Sequence, residues 1–390
     1  MLKRLLALLL VCALLPLGSL AAHAAPPVAE MLADPSLSAH SAILTDGDGN
    51  PLFEKNAQER MGPASTTKLM TALVVAEACE PDTVVTVPRE AVGIEGSSIY
   101  LREGERLTVE QLLYALLLSS ANDAATALAL FCAESVEAFC EKMNQKVTAL
   151  GLTNTHFVNP HGLYDDAHYT TAQDLAVIAA VALKHPLIRQ IVSTYQTTIP
   201  LGGEEGTRVL VNHNKMLRLY DGAIGVKTGF TKKTGRTLVS AAERDGLLLI
   251  AVTLNAPDDW NDHEKLLDYG FSRYTCVSLF QAGEAIGTLP VCGGTEHYVS
   301  LCAEQSVTVV LSKGSVSLSY AIASSGHFLY APIMEGQRVG HASCRVGDRT
   351  FTVPLVAGFD VSYYTPKKRS PLERILHFFT TDETETKDGL

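Results

Sequence analysis

The segment from Thr108 to Leu118 most constrains the fold. Thr108 and Gln111 form a Thr-x-x-Gln capping box, a helix-starting signal. Behind it, Leu112-Leu113-Tyr114-Ala115-Leu116-Leu117-Leu118 is apolar nearly all round. A helix without a polar face has to be enclosed on every side, so the chain must build a core around it. Asn122 and Asp123 interrupt the apolar character soon afterwards, which argues against a membrane span. The chain can supply such a core. Of its 390 residues, 47% are hydrophobic, which rules out wholesale disorder and leaves room for two or three domains.

The patterning around that helix is mixed. Ala42–Thr45 and Pro51–Glu54 flank the turn-rich Asp46-Gly47-Asp48-Gly49-Asn50 and predict a hairpin over residues 41–55. Residues 124–149 read as one helical stretch and 172–184 as another. From about residue 206 the pattern turns to strands, with examples at 223–226, 237–240 and 247–252. Asp262 to Tyr269 predicts a closing helix. After about residue 275, short strands and Gly-rich turns predict a separate small β domain, with strands at 307–310, 316–318 and 349–353.

Both ends carry their own signals. Lys3 and Arg4, the apolar run Leu5–Leu15 and the small-x-small triplet Ala22-His23-Ala24 read as a secretory signal over residues 1–24. The run meets Pro16 well short of the roughly 20 apolar residues that span a bilayer. The expectation is an exported chain, at the outer face of the cytoplasmic membrane or in the cell-wall space. At the other end, Pro366-Lys367-Lys368-Arg369 precedes Leu372, Ile375, Leu376 and Phe379 at i, i+3, i+4, i+7. A cationic cluster with a short apolar stripe suits weak contact with a membrane surface. Residues 380–390 are acidic and polar. The expected organisation is therefore a signal at 1–24, a first domain at 25–275, a β-rich domain at 276–362 and a tail at 363–390.

Charge and cysteine usage narrow the class. The formal net charge is −11, and no basic stripe is present, so nucleic acid is excluded as a partner. Eight cysteines are present and Cys12 falls in the signal. The remaining seven leave at least one unpaired thiol within the chain. Cys132 and Cys140 on one continuous helix would be about 12 Å apart, too far for a bond. Small buried hydrophobes are the expected role for these cysteines. His161, His168 and His213 show no metal-ligand spacing, and local hydrogen bonding is expected of them.

Three short phrases carry the chemistry. Ser65 stands three residues before Lys68 in Pro63-Ala64-Ser65-Thr66-Thr67-Lys68-Leu69-Met70. On a helix this spacing puts hydroxyl and amine on one face, where they can share a proton, so nucleophilic catalysis needs no histidine. Lowering a lysine from near 10.4 to about 7 takes about 4 kcal/mol. Burial and a second cation push in that direction, and Lys227 could be that cation. Ser120 and Asn122 sit at the polar break after the buried helix. A serine there can relay a proton, and an asparagine offers a donor and an acceptor to a substrate amide. Lys227-Thr228-Gly229 ends an apolar strand-like run. Lys227 and Thr228 can bind a carboxylate, and Gly229 admits close backbone approach. The triplet recurs as Lys233-Thr234-Gly235 in what reads as a turn, and the first copy is preferred.

The ordered set Ser65-x-x-Lys68, Ser120-x-Asn122, Lys227-Thr228-Gly229 resembles the penicillin-recognising serine hydrolases, and within them the D-alanyl-D-alanine carboxypeptidases of family S11. The likeness includes Gly96-Ser97-Ser98, Asn122-Asp123-Ala124, Leu150-Gly151-Leu152, His168–Ala172, Gly229-Phe230-Thr231 and Leu266–Phe271, and reaches Ala331-Pro332-Ile333 and Gly336-Gln337. It implies an α/β, transpeptidase/β-lactamase-like serine hydrolase domain followed by a small all-β domain. It implies Ser65 as nucleophile, Lys68 as base, Ser120 as proton relay and Asn122 as substrate amide contact. Lys227 and Thr228 would hold a terminal carboxylate, with the N–H groups of Ser65 and Phe230 as oxyanion hole. Peptidoglycan stem peptides are the implied substrates and β-lactams the implied inhibitors, with no cofactor. The family more often has glycine where this chain has Ala121, and the added methyl bears on the width of the pocket beside Ser120.

Two competing readings are a class A β-lactamase and a non-catalytic wall-binding protein. The first needs a Glu-x-x-x-Asn phrase between Asn122 and Lys227, and none is there. The second would be favoured by loss of a motif residue, and none is lost.

Overall fold

The computed structural model describes residues 34–203, 205–314 and 317–366. The secretory signal at 1–24 and the stripe at 367–379 lie outside the described residues, as does Val316 of one expected strand.

The first domain is organised by an antiparallel sheet in the order β2-β1-β9-β8-β7, made of β1 (Ser41–Asp46), β2 (Pro51–Lys55), β7 (Ala223–Thr231), β8 (Gly235–Arg244) and β9 (Leu247–Leu254). The expected hairpin is β1–β2, with Leu44 opposite Phe53. Two more short pairs form, β3 (Val84–Thr86) with β4 (Arg106–Thr108) and β5 (Gln196–Pro200) with β6 (Thr207–Val211). Alternate residues of the main sheet face opposite cores, as strand geometry requires. Ile43, Val239, Ile250 and Val252 join the larger core. Ala42, Leu44, Leu249 and Ala251 face the other way.

Helices fill the first of these cores: α1 (Lys68–Ala78), α2 (Val109–Leu118), α3 (Asn122–Cys132), α4 (Val136–Ala149), α5 (Ala172–Lys184) and α6 (Pro186–Ser193). The capping box at the start of α2 is present, with both Thr108 and Gln111 bonded as expected. Leu112, Leu113 and Leu116 are completely buried. A short α7 (Met216–Leu219) precedes β7, and α8 (Asp259–Arg273) covers the second face of the sheet.

Two helix expectations need correction. The stretch 124–149 is not one helix. Ala133 is extended and Ser135 caps a new helix, its hydroxyl accepting from Ala138 N at 3.1 Å. Serine at that position competes with the preceding turn and restarts the helix. The closing helix is longer than 262–269, because Asp259 and Asp262 in the first turn favour an earlier start.

Beyond α8 the chain is all β: β10 (Tyr274–Phe280), β11 (Ala285–Cys292), β12 (Tyr298–Ala303), β13 (Val307–Ser312), β14 (Leu318–Ser324), β15 (Leu329–Tyr330), β16 (Arg338–Val346) and β17 (Arg349–Ala357). Six of them form one sheet in the order β14-β16-β17-β12-β11-β15, and β10 pairs with β13. This region has its own core around Val299, Leu301, Val353 and Leu355. Of the cysteines, Cys140 and Cys344 are buried as small hydrophobes, whereas Cys292 is exposed and Cys79, Cys132, Cys276 and Cys302 are only partly covered.

Candidate active site

The site forms where the helical core meets the free edge of the sheet. Ser65 lies in a single 3₁₀ turn, Ala64–Thr67, that runs directly into α1 at Lys68. Side chains hold this turn in place. Thr66 Oγ1 donates to Pro63 O at 2.7 Å, and Thr67 Oγ1 to Ala64 O at 2.8 Å. From β8, Thr237 Oγ1 donates to Pro63 O at 3.0 Å. Ala64 itself sits at φ 49°, a left-handed conformation that a non-glycine residue adopts only when its surroundings enforce it.

Lys68 is completely buried, and its amine has three partners. Nζ lies 3.0 Å from Ser65 Oγ, 2.7 Å from Asn122 Oδ1 and 2.6 Å from His161 O. Two of these three are acceptors only. A neutral lysine keeps two hydrogens for Asn122 and His161, and its lone pair is then left facing the Ser65 hydroxyl. Burial pushes the Lys68 amine well below its ordinary value, and the Lys227 charge adds to the effect, against an opposing pull from Asp123. His161 and His168 stay neutral beside it, since burial lowers them to about 3 and about 4. His168 has a local hydrogen-bonding role: it bonds Thr67 Oγ1 at 2.8 Å and accepts from Val158 N at 3.1 Å.

Ser120 and Asn122 stand where α2 gives way to α3. Ser120 adopts φ 57°, a second strained residue, and its Oγ accepts from Lys227 Nζ at 3.0 Å. Asn122 opens α3. Its amide nitrogen donates to Glu95 O while its oxygen receives Lys68, so one donor and one lone pair remain on the amide. Its own backbone N–H donates to Ser97 O at 2.7 Å. Asp123 is a structural residue that the sequence did not single out for a role. Buried at the head of α3, its carboxylate accepts from Ser98 Oγ at 2.6 Å, Ala124 N at 2.9 Å and Leu101 N at 2.9 Å, and so ties the 98–101 loop to the helix.

Lys227, Thr228 and Gly229 lie within β7 rather than after a strand, since the strand runs on to Thr231. The expected strand end is thus corrected: pairing with β8 continues through Thr228–Leu238 to Thr231–Gly235. Lys227 is buried, and burial lowers its amine to about 7. Nζ also donates to Thr228 O at 2.8 Å. A methyl group at Gly229 would sit 2.3 Å from Thr237 Oγ1 and 2.9 Å from Ser65 N. Only glycine allows this approach of β7 to the Ser65 backbone. Ser65, Ser120, Thr228, Gly229 and Phe230 line one open cleft, with the Phe230 ring exposed on its rim. The second triplet lies at the β7–β8 turn, where Lys233 is exposed over the Tyr164 ring.

All eight residues singled out from the sequence are thus brought together, from segments about 160 positions apart. Thr237, which fixes the turn before Ser65, had no signal beyond its place in a strand. Among the described residues, no three His, Cys, Asp or Glu side chains form a cluster able to hold a metal ion.

A buried lysine on a partly exposed serine, beside a second serine–lysine pair, is an arrangement able to activate a serine without a histidine. The pattern of the D-alanyl-D-alanine carboxypeptidases, peptidase family S11, matches residues 28–258, and that of the penicillin-binding protein 5 C-terminal domain matches 274–368. The chain is 34% identical over 313 residues to D-alanyl-D-alanine carboxypeptidase DacF of Bacillus subtilis, covering 77% of this chain and 80% of that one. It is 33% identical to DacA of Escherichia coli, covering 83% of each. Among solved structures, a peptidoglycan synthesis regulatory factor (PBP3) from Streptococcus pneumoniae superposes with a TM-score of 0.70 at 28% identity, covering 84% of this chain and 100% of that one. Penicillin-binding protein 5 from Haemophilus influenzae gives 0.65 at 28%, covering 85% and 99%. The chain belongs to the D-alanyl-D-alanine carboxypeptidase family S11, a serine hydrolase family.

Because backbone atoms cannot yield cheaply, Gly229→Ala should lower kcat/KM on a D-alanyl-D-alanine peptide by about 100-fold. Far-UV circular dichroism should match the parent. Near-parental turnover would show that the close approach of β7 to Ser65 is dispensable.

Proposed function

We propose that the protein removes the terminal D-alanine from peptidoglycan stem pentapeptides through an acyl-enzyme on Ser65, and that β-lactams block it by acylating the same oxygen. The observation that carries this reading is the buried Lys68 amine, 3.0 Å from Ser65 Oγ and held by two fixed acceptors. Neutral Lys68 takes the Ser65 proton as Oγ attacks the carbonyl carbon of the penultimate D-alanine. The N–H groups of Ser65 and Phe230 receive the oxyanion. Ser120 passes a proton to the leaving amine, with Lys227 bonded behind it. Thr228 and the Lys227 charge hold the terminal carboxylate, and the free donor and lone pair of Asn122 serve the substrate amide. Water then hydrolyses the ester.

The reading extends to location. The N-terminal charge, apolar run and cleavage triplet support export, and the substrate is a component of the wall outside the membrane. The cationic cluster and apolar stripe at 367–379 support weak contact with an anionic membrane surface, opposed by acidic residues from Asp382 to Asp388.

Release of D-alanine from a stem pentapeptide is the direct test. Intact mass after penicillin treatment should show one adduct on the parent and none on Ser65→Ala. No turnover with an unmodified serine would leave a wall-binding protein as the better reading.

The two lysines should respond differently to arginine. Lys68→Arg should lower acylation by about 10²–10⁴, because guanidinium does not release its proton. Lys227 must be charged to attract a carboxylate, and that charge is lost as pH rises through about 7. The kcat/KM profile, which reports the free enzyme, should therefore fall on its alkaline side. Lys227→Arg should keep part of the activity and lose that alkaline fall, while Lys233→Ala should change neither limb. Equal losses in Lys68→Arg and Lys227→Arg would remove the base role from Lys68.

For the tail, co-sedimentation with anionic liposomes should retain the mature protein at low salt, release it at high salt, and fail when residues 366–390 are removed. A protein that stays in the supernatant at low salt does not use this tail as an anchor.

A further inference from the structure

The helices that carry the site at their N-terminal ends meet again at their C-terminal ends through two cysteines. Cys79 is the residue that caps α1, and Cys132 is the last residue of α3. They are 53 positions apart in sequence, yet their Sγ atoms lie 2.9 Å from each other, within bonding reach after a small adjustment. Both helix ends are firmly placed. Cys79 N donates to Val75 O at 3.0 Å, and Ala133 N to Ala129 O at 3.0 Å. From α4, Lys142 Nζ donates to Cys132 O at 2.8 Å. Both side chains are partly exposed, so a reagent in solution can reach them. Neither lies in the cleft, and the proposed mechanism uses neither.

We propose that Cys79 and Cys132 are a disulfide-forming pair that clasps the far ends of α1 and α3. The oxidant is a small-molecule or protein disulfide. The Cys79 thiolate attacks one of its sulfurs, forms a mixed disulfide and expels one thiolate. Cys132 loses its proton and attacks the Cys79 sulfur, which expels the second thiolate. Two cysteine thiols become one bond, the oxidant takes up two electrons, and the two protons go to the departing thiolates. Burial pushes the Cys132 thiol up, and the steps balance equally with the two cysteines exchanged. Export, proposed above, would bring the chain to a compartment that supplies such an oxidant. The pairing itself does not depend on the carboxypeptidase reading.

The effect of the clasp is on the unfolded chain. Closing a loop of 53 positions removes much of its freedom, which for a domain of this size raises Tm by about 10 °C. The test uses the full chain, equilibrated with oxidised glutathione, then alkylated under denaturing conditions and mapped by mass. One peptide pair joining Cys79 to Cys132 is expected, with the intact mass lower by about 2 Da. A reductant should then lower Tm by about 10 °C in the parent and in Cys140→Ser. It should leave the Cys79→Ser/Cys132→Ser double variant unmoved. Free, alkylated Cys79 and Cys132 after oxidation would overturn the proposal, as would a bond from either to another cysteine. A mapped bond whose reduction leaves Tm unchanged would overturn the clasp.

Discussion

The charge on one buried amine governs the arrangement around it. Lys68 is enclosed completely, and a lysine removed from water is costly to keep protonated. Lys227, also buried, adds like-charge repulsion from the opposite wall. These two effects work only if helix and sheet edge enclose both amines. The surrounding details serve that closure. Asn122 and the His161 carbonyl accept from the amine, and Asp123 ties the 98–101 loop to the head of α3. The Asp123 carboxylate pulls the amine the other way, and a carboxylate nearer to it would offset more of the lowering.

Closure of this kind depends on backbone as much as on side chains. β7 can reach Ser65 only because Gly229 has no methyl group, and Thr237 on β8 fixes the segment from the other side. Ala64 and Ser120 both adopt left-handed conformations beside the reacting groups. Such conformations are held by their surroundings, which here are the core beneath and the sheet alongside. On the β7 side, the wall of the cleft next to Ser65 is therefore main chain, and the Phe230 ring stands exposed at the rim.

Much of this was legible in the sequence because its signals are local. The capping box at Thr108, the hairpin at residues 41–55 and the helix at 172–184 each depend on neighbours within a few positions. The three phrases carried the site for a related reason: their spacings fix which residues share a helix turn or a strand face. What escaped was either weakly marked or long-range. The break between α3 and α4 carries no glycine or proline, only the cap at Ser135. The grip of Thr237 on Pro63 spans 174 positions. The sequence sets Cys132 beside Cys140 on one expected helix, while its neighbour in the fold, Cys79, lies at the end of another. That Lys227 lies inside a strand was hidden because polar residues on an edge strand beside a cleft break the apolar run from which strands are read.

The pairing of β1 with β9 sets a timetable for synthesis. Ser41 lies opposite Leu254, so β1 waits for a partner made about 200 residues later. At about 5–20 residues per second, the ribosome takes about 10–40 s to supply it. Until then the helices can gather through their local contacts, but Ile43 and Leu44 have no finished sheet to bury against. The nascent chain is thus held short of its final form by its own topology for most of its time on the ribosome. During that interval it remains a substrate for whatever handles unfolded chains.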